Sequence, residues 1–398
     1  MKILFISLGC DKNLADSETM LGLLASRGYQ IVDTEEDADV IIVNTCCFIH
    51  DAMEESIETI LQMAEYKKSG SLKALIVTGC MAERYREEIT KEIPEVDAVL
   101  GTASYGHILD AVDGALAGQS YLKMEPLDTL PLVNTHRMVT TGGHYAYLKI
   151  AEGCDKHCTY CIIPKLRGNF RSVPMEHLLR EAKQLADDGV KEIILVAQET
   201  TLYGKDLYGE KKLPELLRRL CKISGIRWIR ILYCYPEEIT EELIQTIKEE
   251  PKICHYLDLP IQHASDDVLK RMGRRTSKEE LIHIISRIRE EIPDITLRTT
   301  LITGFPGESK EQHEELMDFV DEMAFDRLGV FTYSAEDGTP AAQMPDQVEE
   351  SVKEARRAEL MELQQEIAFD HCEEMVGRIL TVMIEGKVAD EPVYIGRT

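Results

Sequence analysis

The chain has 398 residues, 44% of them apolar, and its 45 basic and 71 acidic side chains leave a net charge of −26. That length exceeds one ordinary domain, so at least two are expected, and the apolar fraction is enough to bury cores. The acidic balance disfavours nucleic acid unless a local basic patch intervenes, and it suits a basic protein partner. Solubility alone is the plainer reading of such a charge.

The longest apolar runs, such as Val40-Ile41-Ile42-Val43, are strand-sized, and none approaches a membrane span. The start, Lys2-Ile3-Leu4-Phe5-Ile6, reads as a strand and lacks the basic and apolar regions of a signal peptide. A cytoplasmic protein with no membrane partner is expected. Eleven cysteines, an odd number without a secretion signal, point to metal binding or catalysis rather than disulfides.

In chain order, apolar strand-like runs at 3–7, 40–44 and 74–78 alternate with helix-like segments at 17–26, 52–64 and 83–92. This rhythm predicts an open, mostly parallel α/β sheet over residues 1–117. Pro126, Pro131, Gly142 and Gly143 then break the periodicity, so 118–140 is read as a linker. A second rhythm fills 141–372, with strands expected at 145–150, 192–197, 228–233, 256–260, 296–303 and 327–333. Helices are expected at 176–187 and 311–322, among others. Six such units suggest a partial barrel rather than the closed eight-unit form. A long charged helix carries Leu360, Leu363 and Ile367 at helical spacing. A strand-like run at 379–384 opens a small C-terminal β domain, 373–398, that reads as truncated.

The sharpest motif is Cys154-x3-Cys158-x2-Cys161, just after the first strand of the second domain. Three thiolates on one loop wrap one face of a 4Fe–4S cluster and leave its fourth iron open for a ligand. Zinc competes for the same thiols, but a structural zinc site wants a fourth protein ligand. His157 lies inside the loop. A chance grouping of buried cysteines is the plainest alternative.

A second set is Cys10, Cys46 and Cys80, each at the end of a predicted strand of the first domain. Parallel strands bring their carboxyl ends to one sheet edge, so cysteines far apart in sequence converge there. Free cysteine is often just a small buried hydrophobe, which is how one such residue would be read. Three at equivalent ends point to a second cluster. Cys47 competes with Cys46 as the ligand. Cys221, Cys234, Cys254 and Cys372 lack ligand-like spacing and read as structural.

Cys-x3-Cys-x2-Cys after the first strand of a six-unit barrel, with Tyr160 before the third cysteine, resembles the radical S-adenosylmethionine (SAM) superfamily. The resemblance implies that the open iron chelates SAM and that reductive cleavage of SAM yields a 5′-deoxyadenosyl radical. It also implies SAM contacts from Tyr160, Gln198 and Glu199 at the second strand end, Gln262 at the fourth, and Gly304 and Gly307 at the fifth. Taken alone, the glycines read as turn residues and Gln198-Glu199 as a helix start.

With the first-domain cysteines, the chain is similar along almost its whole length to the methylthiotransferases. That family joins a cluster domain, a radical SAM domain and a TRAM β domain. The runs Ser7-Leu8-Gly9-Cys10-Asp11-Lys12-Asn13, Pro260-Ile261-Gln262-His263-Ala264-Ser265 and Gly304-Phe305-Pro306-Gly307-Glu308 resemble its RimO branch. The resemblance implies two 4Fe–4S clusters, SAM, and electron and sulfur donors. The implied substrate is the β-carbon of an aspartate in the twelfth small-subunit ribosomal protein, a basic partner. Asp11 stands where that branch usually has proline, and Cys47 where it has glycine. No catalytic residue beyond the cluster ligands is assigned. The alternatives are the sister MiaB chemistry on a modified adenosine in tRNA, and a non-catalytic iron–sulfur electron carrier.

Overall fold

The computed structural model describes residues 1–70, 72–133, 135–389 and 391–398. Residues 71, 134 and 390, which fall in the expected first domain, linker and C-terminal domain, lie outside the described residues. The strands in chain order are β1 (Lys2–Ser7), β2 (Gln30–Val32), β3 (Val40–Thr45), β4 (Ala74–Gly79), β5 (Ala98–Leu100), β6 (Tyr121–Lys123), β7 (Tyr145–Lys149), β8 (Ala151–Glu152), β9 (Arg171–Ser172), β10 (Glu192–Val196), β11 (Trp228–Ile231), β12 (Ile253–Asp258), β13 (Thr296–Thr303), β14 (Arg327–Thr332), β15 (Met383–Lys387) and β16 (Tyr394–Arg397).

The first six strands form one parallel sheet in the order β2-β1-β3-β4-β5-β6. Its central strands β3 and β4 are buried throughout, as their continuous apolar runs demand. Side chains alternate between the faces. Ile41, Val43, Leu75 and Val77 pack with Ile60 and Met63 of helix His50–Lys68. Val40, Ile42 and Ile76 pack with Met20, Leu24, Ile108 and Ala111 on the other side.

The second sheet is also parallel, in the order β14-β13-β12-β11-β10-β7. β7 and β14 do not pair with each other, so the barrel of six strand–helix units stays open. The buried positions of β11 and β13, Ile229, Ile231, Leu297 and Leu301, join the helices in one apolar core. The alternate positions, among them Arg230 and Arg298, face the inside of the barrel, where they line cavities with Tyr147 and Tyr256. The interior is polar and accessible, unlike the packed interior of a closed barrel. Helices Lys278–Glu291 and Lys310–Met323 both start with a capping box, Ser277 with Glu280 and Ser309 with Gln312.

Three differences from the sequence reading stand out. The stretch expected as a linker from 118 begins with β6, which pairs with β5 and extends the first sheet. Its later part is clamped to helix Asp11–Ser26: Arg137 pairs with Glu18 at 2.6 Å, and Thr140 N donates to Glu18 Oε1 at 2.7 Å. The helix expected over 83–92 is two, Cys80–Tyr85 and Glu87–Glu92, broken at Arg86 with φ +47°. Helix Glu350–Glu374 runs unbroken across the boundary placed between 372 and 373, and the strand expected from 379 begins at Met383. There β15 and β16 form an antiparallel hairpin, whose Arg397 pairs with Glu192 of β10 at 2.6 Å. Among the described residues, no helix is long and apolar enough to cross a membrane.

Candidate active site

The loop after β8 holds Cys154, Cys158 and Cys161. It starts at Gly153, with φ +80°. A Cβ there would lie 2.1 Å from the carbonyl oxygen of Asn169 and 2.5 Å from that of Gly168, so only glycine fits. Cys154 N donates to Gly168 O at 3.1 Å, and Thr159 is tied to the end of helix Asp266–Arg271 through Met272 O and Arg271 O. Cys154 and Cys158 are buried and Cys161 half-buried, all as free thiols. Burial pushes the Cys154 and Cys161 thiols up to about 12, and the neighbouring Cys158 adds to each shift.

Cys10, Cys46 and Cys80 follow β1, β3 and β4, three neighbouring strands, on one sheet edge. Gly79, with φ +94°, leads into Cys80, and a Cβ on it would lie 2.3 Å from Asn44 Oδ1. The Cys10 loop touches the Cys46 loop: a Cβ on Gly9 would lie 2.8 Å from Cys46 Cβ. Asn13 binds both loops, donating to Leu8 O at 3.1 Å and Thr45 O at 2.9 Å. Cys10 is exposed, whereas Cys46 and Cys80 are buried. Burial raises Cys46 and pushes Cys80 up to about 12, and both feel the charge of Cys10 and of Arg167. Cys47 is fully buried in the apolar core, with its neighbour Arg84 donating to the Cys47 carbonyl at 3.4 Å.

Among the described residues, no three His, Cys, Asp or Glu side chains are grouped to hold a single metal ion. In a cubane cluster each thiolate binds a different iron, so the thiols stand wider apart than around one ion. Two sets of three free, mutually interacting thiols fit that chemistry.

A buried charge network joins the two sets. Arg167, the last residue of helix Ile163–Arg167 just after Cys161, donates to Asp16 Oδ2 at 2.8 Å, Glu152 Oε2 at 3.1 Å and Cys80 Sγ at 3.6 Å, and also reaches Asn13. Lys149 pairs with Asp16 and, at 2.8 Å, with Glu152. Glu152 accepts from Gln198 Nε2 at 2.8 Å. Nothing in the sequence marked Arg167, because its partners come from both domains.

The expected SAM contacts gather at the carboxyl ends of the barrel strands, on the side of the cluster loop. Gln198 Oε1 and Glu199 Oε2 are buried without a hydrogen-bond partner. Burial pushes the Glu199 carboxyl up to about 7. Arg274, which the sequence reading passed over, stacks 4.2 Å above the Tyr235 ring with Nε and Nη1 buried and unpaired. Two unpaired acceptors and a guanidinium held at Nη2 by Pro260 O, with its other two nitrogens unpaired, suit a ligand with both an ammonium and a carboxylate. Tyr160 meets Phe305 edge-on at 6.5 Å. Gln262 sits beyond β12 at φ +73° and bridges to β13 through Thr300 O and Ile302 N. The space over Gly304 is filled by Lys353 and that over Gly307 by Arg271, so both glycines admit side chains of this chain.

Between the Cys10 loop and the barrel mouth lies a cavity of about 310 Å³, walled by Cys10, Asp11, Tyr147, Tyr233, Tyr256 and Arg298, among others. Tyr233 donates to Asp11 Oδ1 at 3.2 Å, and Lys12 Nζ stands 3.3 Å from the centre of its ring.

An open parallel six-stranded barrel with a three-thiol loop after its first strand defines a radical SAM protein. Residues 148–320 match the Radical SAM superfamily, and residues 2–101 match the family described as "Uncharacterized protein family UPF0004". Among solved structures, the radical SAM methyltransferase TsrM from Kitasatospora setae aligns with a TM-score of 0.60 at 12% identity, over 85% of this chain and 76% of that one. The cobalamin-dependent SAM radical enzyme OxsB aligns at 0.55 and 13% identity, over 93% and 56%. These likenesses concern the fold.

The relatives are nearer. A protein of Lachnoclostridium phytofermentans named ribosomal protein uS12 methylthiotransferase RimO is 66% identical over all of this chain and 90% of its own length. Proteins of the same name from Clostridioides difficile and Clostridium perfringens are 50% and 52% identical, over all of this chain and 89% of theirs. The chain belongs to the RimO family of radical SAM methylthiotransferases. It is a transferase, and membership of the superfamily brings one 4Fe–4S cluster and SAM as its cofactors.

Proposed function

We propose that this enzyme adds a methylthio group to the β-carbon of an aspartate in ribosomal protein uS12. The observation that carries the reading is the loop holding Cys154, Cys158 and Cys161, followed at once by helix Ile163–Arg167, whose last residue reaches Cys80 of the second thiol set. The names of relatives that cover the whole chain support it.

Cys154, Cys158 and Cys161 would hold the SAM-binding cluster, and Cys10, Cys46 and Cys80 a second 4Fe–4S cluster. When bound, these clusters and SAM supply an electron, a carbon radical that removes a hydrogen atom, and the methylthio group; a C–H bond with no usefully acidic proton requires such cofactors. The unpaired oxygens of Gln198 and Glu199 would accept the ammonium of SAM, and Arg274 would receive its carboxylate. Tyr160, Gln262, Gly304 and Gly307 shape the same rim. Tyr147, Tyr233 and Tyr256 wall the crevice where substrate would enter. Buried Asp16, Lys149, Glu152 and Arg167 fix the two thiol sets relative to each other. The net charge of −26 favours a basic ribosomal protein as partner. The first sheet would serve as the cluster domain, the open barrel as the radical SAM core and the C-terminal hairpin as part of a TRAM domain. A reducing donor, a sulfur donor and a cytoplasmic setting complete the reading.

The test is an anaerobic competition. Reconstituted enzyme with SAM, reductant and sulfide is offered uS12 and a MiaB-type tRNA together. Mass gain on the uS12 aspartate upholds the reading. Gain on the tRNA alone replaces it with the sister chemistry.

A further inference from the structure

The cavity between the Cys10 loop and the barrel mouth contains a positioned cation for which neither cluster nor SAM accounts. Arg298 lies on the inward face of β13, whose alternate residues Leu297 and Thr299 are buried in the opposite direction. Its Nη1 donates to Asp258 Oδ1 at 2.7 Å and to Thr300 Oγ1 at 3.3 Å. Asp258 is buried, and its second oxygen accepts from Tyr233 N at 3.2 Å, so the carboxylate that orients Arg298 is itself fixed. Nε and Nη2 of Arg298 have no partner among the described residues, and the side chain stays 36% exposed. Of the described residues lining this cavity, Arg298 is the one cation, and Cys10 lies on the wall with it.

A guanidinium with one edge anchored and the other free is a ready partner for a carboxylate, which it can grip through two parallel N–H donors. Of the two cavity-lining carboxylates, Asp258 is engaged by Arg298 itself, and Asp11 by Lys12 at 3.0 Å and by Tyr233, both at Oδ1, while its buried Oδ2 has no hydrogen-bond partner. Neither carboxylate hydrogen-bonds the free edge of Arg298, which stays open to an anion entering the cavity. A volume of about 310 Å³ takes one amino-acid side chain and part of its backbone.

We infer that Arg298, held by Asp258, binds the carboxylate of the substrate aspartate and makes the site select an anionic side chain over its neutral amide. This rests on the proposed function and specifies how that site reads its substrate. If Arg298 served only to neutralise Asp258, its replacement would weaken the fold without altering choice between the two side chains.

The experiment uses the full chain, loaded anaerobically with clusters and SAM, and two basic peptides that differ only by a central aspartate or asparagine. Without reductant, the wild-type enzyme is expected to bind the aspartate peptide at least about tenfold more tightly, the size of a charge-assisted hydrogen bond. Arg298→Gln should remove that preference, and Arg298→Lys should keep part of it. Equal binding of both peptides by wild type, or a preference unchanged in Arg298→Gln, overturns the inference. A clear binding preference without methylthio transfer after reductant and sulfide are added upholds Arg298 while removing the functional reading.

Discussion

Arg167 donates from Nη2 to Sγ of Cys80 at 3.6 Å, linking the helix that follows one thiol set to a member of the other. It is 3% exposed and balances Asp16 and Glu152, which are buried with it. Removing one partner of such a group leaves uncompensated buried charge, which typically costs about 3–5 kcal/mol. Arg167→Met is expected to lose stability on that scale in urea unfolding. It should also bind less iron at the first-domain thiols while the SAM-binding loop still loads. Unchanged stability would mean that solvent reaches Asp16 and Glu152.

Gly153→Ala tests the entry to the cluster loop. The added methyl group would meet two backbone carbonyls, which cannot swing aside as a side chain can. The positive φ adds strain of about 1 kcal/mol or more for a residue with a Cβ. The expected result is a folded protein with a lowered melting temperature and reduced cluster absorbance. A variant that loads iron like the wild type would show that the loop adjusts freely.

The parts legible in the sequence were those with periodicity or spacing. β3, β4 and β13 are long enough for their apolar runs to speak, and the ends of β1, β3 and β4 carried cysteines to one edge as topology requires. β2, β5 and β6, of three residues each, are too short for any pattern and form because neighbouring strands offer them an edge. The arginines were illegible for a different reason. Arg167, Arg274 and Arg298 acquire their roles from carboxylates and rings brought close only by folding, and arginine has no characteristic spacing. Gly304 was read as a ligand-approach glycine, but its close neighbour is Lys353 of a helix whose docking site no local pattern encodes.

The adjacent cysteines can be told apart by their surroundings. Cys46 interacts with Cys10 and Arg167, whereas Cys47 is completely buried in the apolar core, where it neighbours Cys80 and Arg84. Cys47→Ala is expected to keep both clusters and methylthio transfer, at a cost of about 1 kcal/mol of stability. Cys46→Ala, like Cys80→Ala, should keep SAM cleavage and lose transfer, while Cys154→Ala should abolish SAM cleavage. Iron content and 5′-deoxyadenosine release distinguish these cases. If Cys47→Ala removes the first-domain cluster and Cys46→Ala does not, the ligand is Cys47.

His263 gives a pH signature. It is fully buried beyond β12, its Nδ1 accepts from Ser265 N at 3.0 Å, and its Nε2 stands 3.9 Å from Glu308. Burial, with the positive groups of His313, Arg271 and Arg356 around it, lowers its pKa to about 3. The unfolded chain takes up a proton there near pH 6.5, while the folded chain does not. Above that pH neither state is charged, so His263 adds no pH dependence. As the pH falls from about 6.5 towards 3, the unfolded state binds more protons and stability drops. Between pH 7.5 and pH 5 this one group should cost about 2 kcal/mol. His263→Asn places an amide oxygen as acceptor for Ser265 N and does not titrate. Its loss of stability between those two pH values, measured by urea unfolding, should be smaller than that of wild type by that amount. Glu308, whose carboxyl burial raises, titrates in both proteins and largely cancels in the comparison. An equal loss in both would show that His263 takes up a proton in the folded state, and that Glu308 receives it as an ion pair.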